Sequence, residues 1–209
     1  MRREVSDTGR HSDFAAAEEI RHNKMTFTVL EKRQQGYQIP FTRRPIAIIQ
    51  GFGGPYSHKR ISPNIDLTYS IDFLLPLLTD VIASRQGTVA RIYDRSRWFD
   101  ERAELGSFPL IAGNLVELLH SDGSSARYEH LERGSASGLG IKPGDWIEQG
   151  QLIGKTGLSG WIGPYPHLHF MVYESEALGS AISARRVQSK PIGFADYDGP
   201  LWHKDLWKQ

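Results

Sequence analysis

The chain has 209 residues, 39% of them hydrophobic, which suffices for one domain with a real core plus an extension. Its 25 basic and 24 acidic residues leave a net charge of +1, so no polyanion partner is implied and a nucleic-acid binder is disfavoured. The absence of cysteine excludes disulfides, thiolate metal sites and a cysteine nucleophile.

Residues 1–24 are polar, with one Ala/Glu-rich piece, "FAAAEEIR", and are predicted to form a flexible arm. They lack the apolar run of about 7–15 residues that a signal peptide needs. No segment approaches the roughly 18 consecutive apolar residues of a membrane span. If complete, such a chain is expected in the cytoplasm. From Met25 the pattern turns β-like, and the domain is taken as 25–209, with its core at about 46–175 and a closing strand and tail at 189–209.

Within that domain, Ile46 to Gln50 is predicted as a strand ending in a glycine turn, followed by a loop into "SIDFLLP". Two short strand candidates flank "RQG" at 85–87, and "RSRWFDERAELGSFPLIA" has the charged composition of an inserted loop. "GNLVELLH" and "SARYEHLE" flank Asp122-Gly123, a strong hairpin signal. Short strands punctuated by turn residues follow in "IKPGDWIEQGQLIGKTGLSG", and "HLHFMVYE" closes the core. The 21 glycines, the 11 prolines and the lack of any sustained 3.6-residue period predict a mainly β fold, an antiparallel sandwich or barrel-like core.

The chemistry concentrates in the histidines. His11, His22 and His203 lie in the arm and tail and are expected on the surface, and His120, at a hairpin end, is expected to be solvated. His167 and His169 stand one residue apart in a predicted strand, so both imidazoles point to one face. A shared metal, a shared substrate or nothing in common are the open readings of that pair. Asp72 sits among apolar residues, where a carboxylate is costly unless paired or bound to a metal; otherwise it would face solvent at a strand edge. His58 ends a Gly/Pro loop, and His130 lies on the hairpin with Tyr128 predicted on the same face by period two. A hydrolytic zinc site needs three protein ligands, an open position, a base for the water and a donor for the oxyanion.

The ordered set "QGFGGPYSH", "SIDFLLPLLTDVIASRQGTV", "GNLVELLHSDGSSARYEHL", "IKPGDWIEQGQLIGKTG" and "PHLHF" resembles the lysostaphin-type (LytM-type) zinc metallopeptidases from about Gln50 to Glu174, with "SKPIGF" similar to the family's closing strand. The resemblance implies a core of the duplicated hybrid-motif type, with zinc bound by His58, Asp72 and His169. It implies that His130 and His167 flank the attacking water. It implies a bacterial cell-wall enzyme of the envelope that cuts peptide links in peptidoglycan cross-bridges or stem peptides. In the commonest form of the family the first histidine stands four residues before the aspartate, and that position here is Thr68. His58 fits a branch with a longer loop, and Asp66 or an extra water is the competing first ligand. Tyr165, in place of a simple glycine-proline before His-x-His, is expected to narrow or re-aim the cleft.

No helical His-Glu-x-x-His motif and no Gly-x-Ser-x-Gly elbow is present, which argues against a thermolysin-type protease and a serine hydrolase. The alternative from another class is a non-catalytic cell-wall-binding or regulatory module that kept the fold. A carrier-domain reading of "IKPGDWIEQGQLIG" fails for want of a lysine at a tight hairpin tip.

Overall fold

A computed structural model describes residues 36–44, 46–97, 113–160, 162–163, 165–174 and 187–206. The predicted arm, with His11 and His22, and most of the charged stretch after Ser96 lie outside the described residues.

The strands follow in chain order as β1 (Ile48–Gln50), β2 (Arg60–Ser62), β3 (Ile65–Asp66), β4 (Ile71–Leu74), β5 (Asp80–Ile82) and β6 (Gly87–Tyr93). After these come β7 (Leu115–Leu119), β8 (Ser124–Glu129), β9 (Trp146–Ile147), β10 (Leu152–Lys155), β11 (His167–Glu174) and β12 (Val187–Gln188). Seven of them form one sheet in the order β1-β4-β11-β8-β7-β6-β9, with every pairing antiparallel. β5 pairs with β10, and β12-β3-β2 makes a third sheet whose β12–β3 pairing is parallel. The only helices among the described residues are two three-residue 3₁₀ turns, Ser137–Leu139 and His203–Asp205.

The predicted hairpin is β7–β8, turning at Asp122-Gly123. Gly123 takes φ +83°, Asp122 Oδ1 accepts from the Ser124 N–H at 3.0 Å, and the β8 arm pairs onward with β11. The two strands flanking "RQG" exist but do not pair with each other, because β5 goes to β10 while β6 joins the large sheet. The closing segment differs from expectation. The paired strand is Val187–Gln188, and "SKPIGF" continues only through single bridges, Tyr173 with Ser189 and Phe194 with Tyr197.

The large sheet has two unlike faces. Ile71, Phe73, Val116, Leu118, Ala126, Tyr128, Leu168, Phe170 and Val172 point to one side and bury against Val81, Ala83 and Ile153 of the β5–β10 layer, with Ile39, Phe41 and Phe194. Burial of each of the larger aliphatic and phenylalanine side chains is worth about 1.5–3 kcal/mol, so this layer is the main source of cohesion. Register decides the other face: His169 lies opposite both Asp72 and Glu129, and Met171 opposite Arg127. That face carries charge. Towards β12 and β3 it is covered by a smaller apolar cluster of Ile65, Leu67, Met171, Tyr173 and Val187.

Candidate metal centre

Three side chains converge at the β4–β11 junction. One potential ligand atom from each of His58, Asp72 and His169 lies within 4.8 Å of the other two, and all three residues are buried. Asp72 and His169 are directly opposed in the antiparallel register, so period two brings them to one face. His169 Nδ1 lies 2.7 Å from Asp72 Oδ1, His58 Nε2 3.2 Å and His167 Nε2 3.7 Å from the same oxygen.

His58 arrives from a loop. Its Nδ1–H donates to the Gly51 carbonyl at 2.9 Å, which fixes the tautomer and turns the Nε2 lone pair towards Asp72. That Nε2 is buried without a hydrogen-bond partner. The tail holds the carbonyl in place: the Phe52 N–H donates to Leu201 O at 2.7 Å, and the His203 N–H returns to Phe52 O at 2.9 Å. A Cβ on Gly51 would overlap the Leu201 carbonyl, so only glycine permits this approach.

His130 and His167 stand beside the cluster, with their ring centroids 4.7 Å apart and His130 6.0 Å from His169. Each is pinned through Nδ1–H, His130 to Ser159 O at 2.8 Å and His167 to Tyr165 O at 2.9 Å, leaving Nε2 as the acceptor. His130 does not share a face with Tyr128, as period two predicts. Tyr128 packs in the apolar core against Phe170, and His130 follows β8 at φ +66°, a left-handed conformation rare outside glycine. This turn swings the imidazole to the charged side.

The electrostatics suit a cation. Burial would raise the Asp72 pKa, but His58 and His169 outweigh it and hold the carboxyl well below the usual range. Burial, reinforced by His167 and His169, pushes His130 down to about 3, and burial lowers His167 against the pull of Asp72. For His169, burial is overcome by the hydrogen bond and charge of Asp72, and its pKa rises. The site thus contains a carboxylate with two neutral flanking imidazoles, and a proton holds His169 to Asp72.

Other expectations resolve differently. Asp66, the rival first ligand, is occupied by Arg60 at 3.1 Å and by the N–H and hydroxyl of Thr68. His120 is buried at 3% exposure instead of solvated, because Tyr37 packs edge-on against it and its Nδ1–H donates to Gln86 O at 2.8 Å. His203 is only partly exposed; burial and the neighbouring His58 both lower its pKa, since the tail folds back over the His58 loop. Tyr165 is 58% exposed. Sequence reasoning did not single out Gln50, which bonds directly to Asp72. Its place directly before the "GFGG" turn was the only available signal.

A mainly antiparallel β sheet thus carries a His/Asp/His cluster that could hold a metal ion, with two pinned imidazoles alongside. The chain belongs to peptidase family M23, whose sequence profile matches residues 66–182, more than half of the 209. That match begins after His58. Lysostaphin of Staphylococcus staphylolyticus is 30% identical over 123 residues, covering 58% of this chain and 21% of lysostaphin. Peptidoglycan DD-endopeptidase ShyC of Vibrio cholerae is 30% identical over 121 residues, 56% of this chain and 24% of ShyC. The chain therefore spans less than a quarter of the length of these curated relatives. Among solved structures, the catalytic domain of the prophage-encoded M23 protein EnpA from Enterococcus faecalis aligns with a TM-score of 0.47 at 22% identity, covering 73% of this chain and 92% of that one. Peptidases of family M23 are zinc-dependent.

Proposed function

We propose that this protein is a zinc metalloendopeptidase that hydrolyses peptide bonds in peptidoglycan cross-bridges or stem peptides, and so works at the bacterial cell wall. The observation that carries the reading is the buried, unpartnered Nε2 of His58, aimed at the oxygen that Asp72 also presents to His169. A buried polar atom without a partner is costly, and a metal would satisfy it. His58 would bind through Nε2, Asp72 through Oδ1 and His169 through Nδ1, a nitrogen and oxygen donor set that suits zinc. Binding would displace the proton between Asp72 and His169, so uptake is favoured as pH rises.

Zinc in such a site supplies Lewis acidity, lowering the pKa of a water from about 15.7 towards 7. His130 and His167 do the proton work. Both are held neutral with Nε2 free, so either can accept the proton of the attacking water. That ring can then return the proton to the leaving amine, and the other, once protonated from solvent at Nε2, can donate to the developing oxyanion. The backbone carbonyls of Ser159 and Tyr165 keep these rings from rotating.

The test is to incubate zinc-loaded protein with purified peptidoglycan and with short Gly- or D-Ala-containing peptides, and to identify the new amino termini. New termini at one bond type are the expected result and name the scissile link. Stoichiometric zinc with no cleavage of any of them would overturn the reading in favour of a non-catalytic module.

A further inference from the structure

Gln50 lies at the end of β1 with 5% exposure, and its amide is used at both ends. Oε1 accepts from the backbone N–H groups of Tyr56 at 3.0 Å and Ser57 at 3.2 Å. Two backbone donors on one atom leave no choice of flip: that atom is the oxygen, and the amide nitrogen faces the other way. Nε2 donates to Asp72 Oδ2 at 2.8 Å and lies 3.0 Å from Ser57 Oγ. Gly54 makes room for this, since a Cβ there would overlap the Gln50 side chain.

The two oxygens of Asp72 are therefore unequal. Oδ2 is taken by Gln50, while Oδ1 alone is shared among His58, His167 and His169. We infer that Gln50 is a positioning residue for the metal centre: its amide N–H restricts Asp72 to one-oxygen ligation, and its carbonyl ties the His58 loop to the same point. This rests on the zinc-peptidase reading above. A carboxylate freed from Gln50 can offer both oxygens to a metal and so fill a position that the reaction needs for water or for the substrate carbonyl. The loop tie matters separately, because Tyr56 and Ser57 immediately precede His58.

Gln50→Glu separates these roles. It keeps the shape and the acceptor for Tyr56 and Ser57 but replaces the donor to Asp72 with a second carboxylate. Cobalt(II) in place of zinc gives a readout independent of turnover, because its visible absorption is intense when four-coordinate and weak at higher coordination. Wild-type protein is expected to take up one cobalt with an intense spectrum. Gln50→Glu should bind the metal about 10–100-fold more weakly, or turn over that much more slowly, with a weakened and shifted cobalt spectrum. Gln50→Met, which fills the volume without either hydrogen bond, should show the same spectral change and carries the test if the glutamate variant does not fold.

A Gln50→Glu protein with wild-type cobalt spectrum, metal affinity and turnover would overturn the inference, leaving Gln50 as a loop tie only. Failure of the wild type itself to bind cobalt or zinc would overturn the zinc reading and this inference with it. The wild-type arm therefore distinguishes the two failures.

Discussion

The site is built from two kinds of backbone, and they hold their residues differently. Asp72, His167 and His169 stand on β4 and β11, where antiparallel register sets their mutual distance and the buried rows Ile71–Phe73 and Leu168–Phe170 anchor the opposite face. His58 and His130 come from irregular backbone and are each fixed by a single Nδ1–H to a carbonyl, Gly51 O and Ser159 O. Strand positions are secured by many backbone bonds and an apolar core, whereas loop positions depend on one or two contacts that must themselves be held. The tail on Gly51–Phe52 and Gln50 on the His58 loop are those supports.

The largest effect should come from the strand half. Asp72→Ala removes the only carboxylate in the cluster and leaves His58 Nε2 and His169 Nδ1 facing a void. Zinc content by elemental analysis should fall to background, and activity with it. Tight zinc binding by Asp72→Ala would sink the ligand assignment and the comparison built on it.

His130→Ala tests the loop half. It removes an imidazole that the geometry places beside the proposed ligands, not among them, so zinc should stay bound while turnover falls by roughly 10²–10⁴, the range for a lost acid–base group. Loss of zinc would make His130 a ligand, and normal cleavage would make it a packing residue. His167→Ala, its partner on the strand, should behave alike if the two act as one proton-transfer pair.

The sequence shows the strand half far better than the loop half, for the same physical reason. Period two places His167 with His169, and an Asp-Gly turn defines the β7–β8 hairpin. His58 needs the resemblance, because a loop of this length offers no periodicity from which to place its end. The face of His130 is misread from period two because φ +66° breaks the alternation at that residue. Gln50 and His120 depend on contacts between distant parts of the chain, with Asp72 and with Tyr37, that no local pattern encodes.

His120 sharpens the contrast. It too is pinned by Nδ1–H to a backbone carbonyl, Gln86 O, and its Nε2 is also buried without a partner, but among the described residues it belongs to no cluster that could hold a metal. Burial is the main cause that lowers its pKa from 6.5 to about 4; the Gln86 bond and Asp122 oppose it, and Arg85 and Lys190 add to it. Between those values the unfolded chain binds a proton that the folded protein excludes. The contribution is complete above about pH 6.5 and is lost as the pH falls towards 4, roughly 3 kcal/mol in all. Urea melts from pH 7 to pH 4 should show a pH dependence flattened by that amount in His120→Gln. An unchanged slope would mean that His120 is open to water.

The smallest effect separates strain that serves the site from strain that does not. Leu78 and His130 are the two non-glycine residues at positive φ among those described, at +61° and +66°. A left-handed conformation costs a branched side chain about 1–2 kcal/mol. At His130 that cost aims an imidazole at the cluster. At Leu78 the side chain is 59% exposed, and what holds the turn is the backbone N–H donating to Thr156 O at 2.9 Å. Glycine keeps that N–H and removes the steric cost, at the expense of about 0.5–1 kcal/mol of chain entropy. Leu78→Gly should therefore stabilise the protein by about 0.5–1 kcal/mol, a rise of roughly 1–4 °C in the melting midpoint, with turnover unchanged. A lower midpoint would show that the Leu78 side chain contributes packing that outweighs its strain, and that strain outside the site is also retained for a contact.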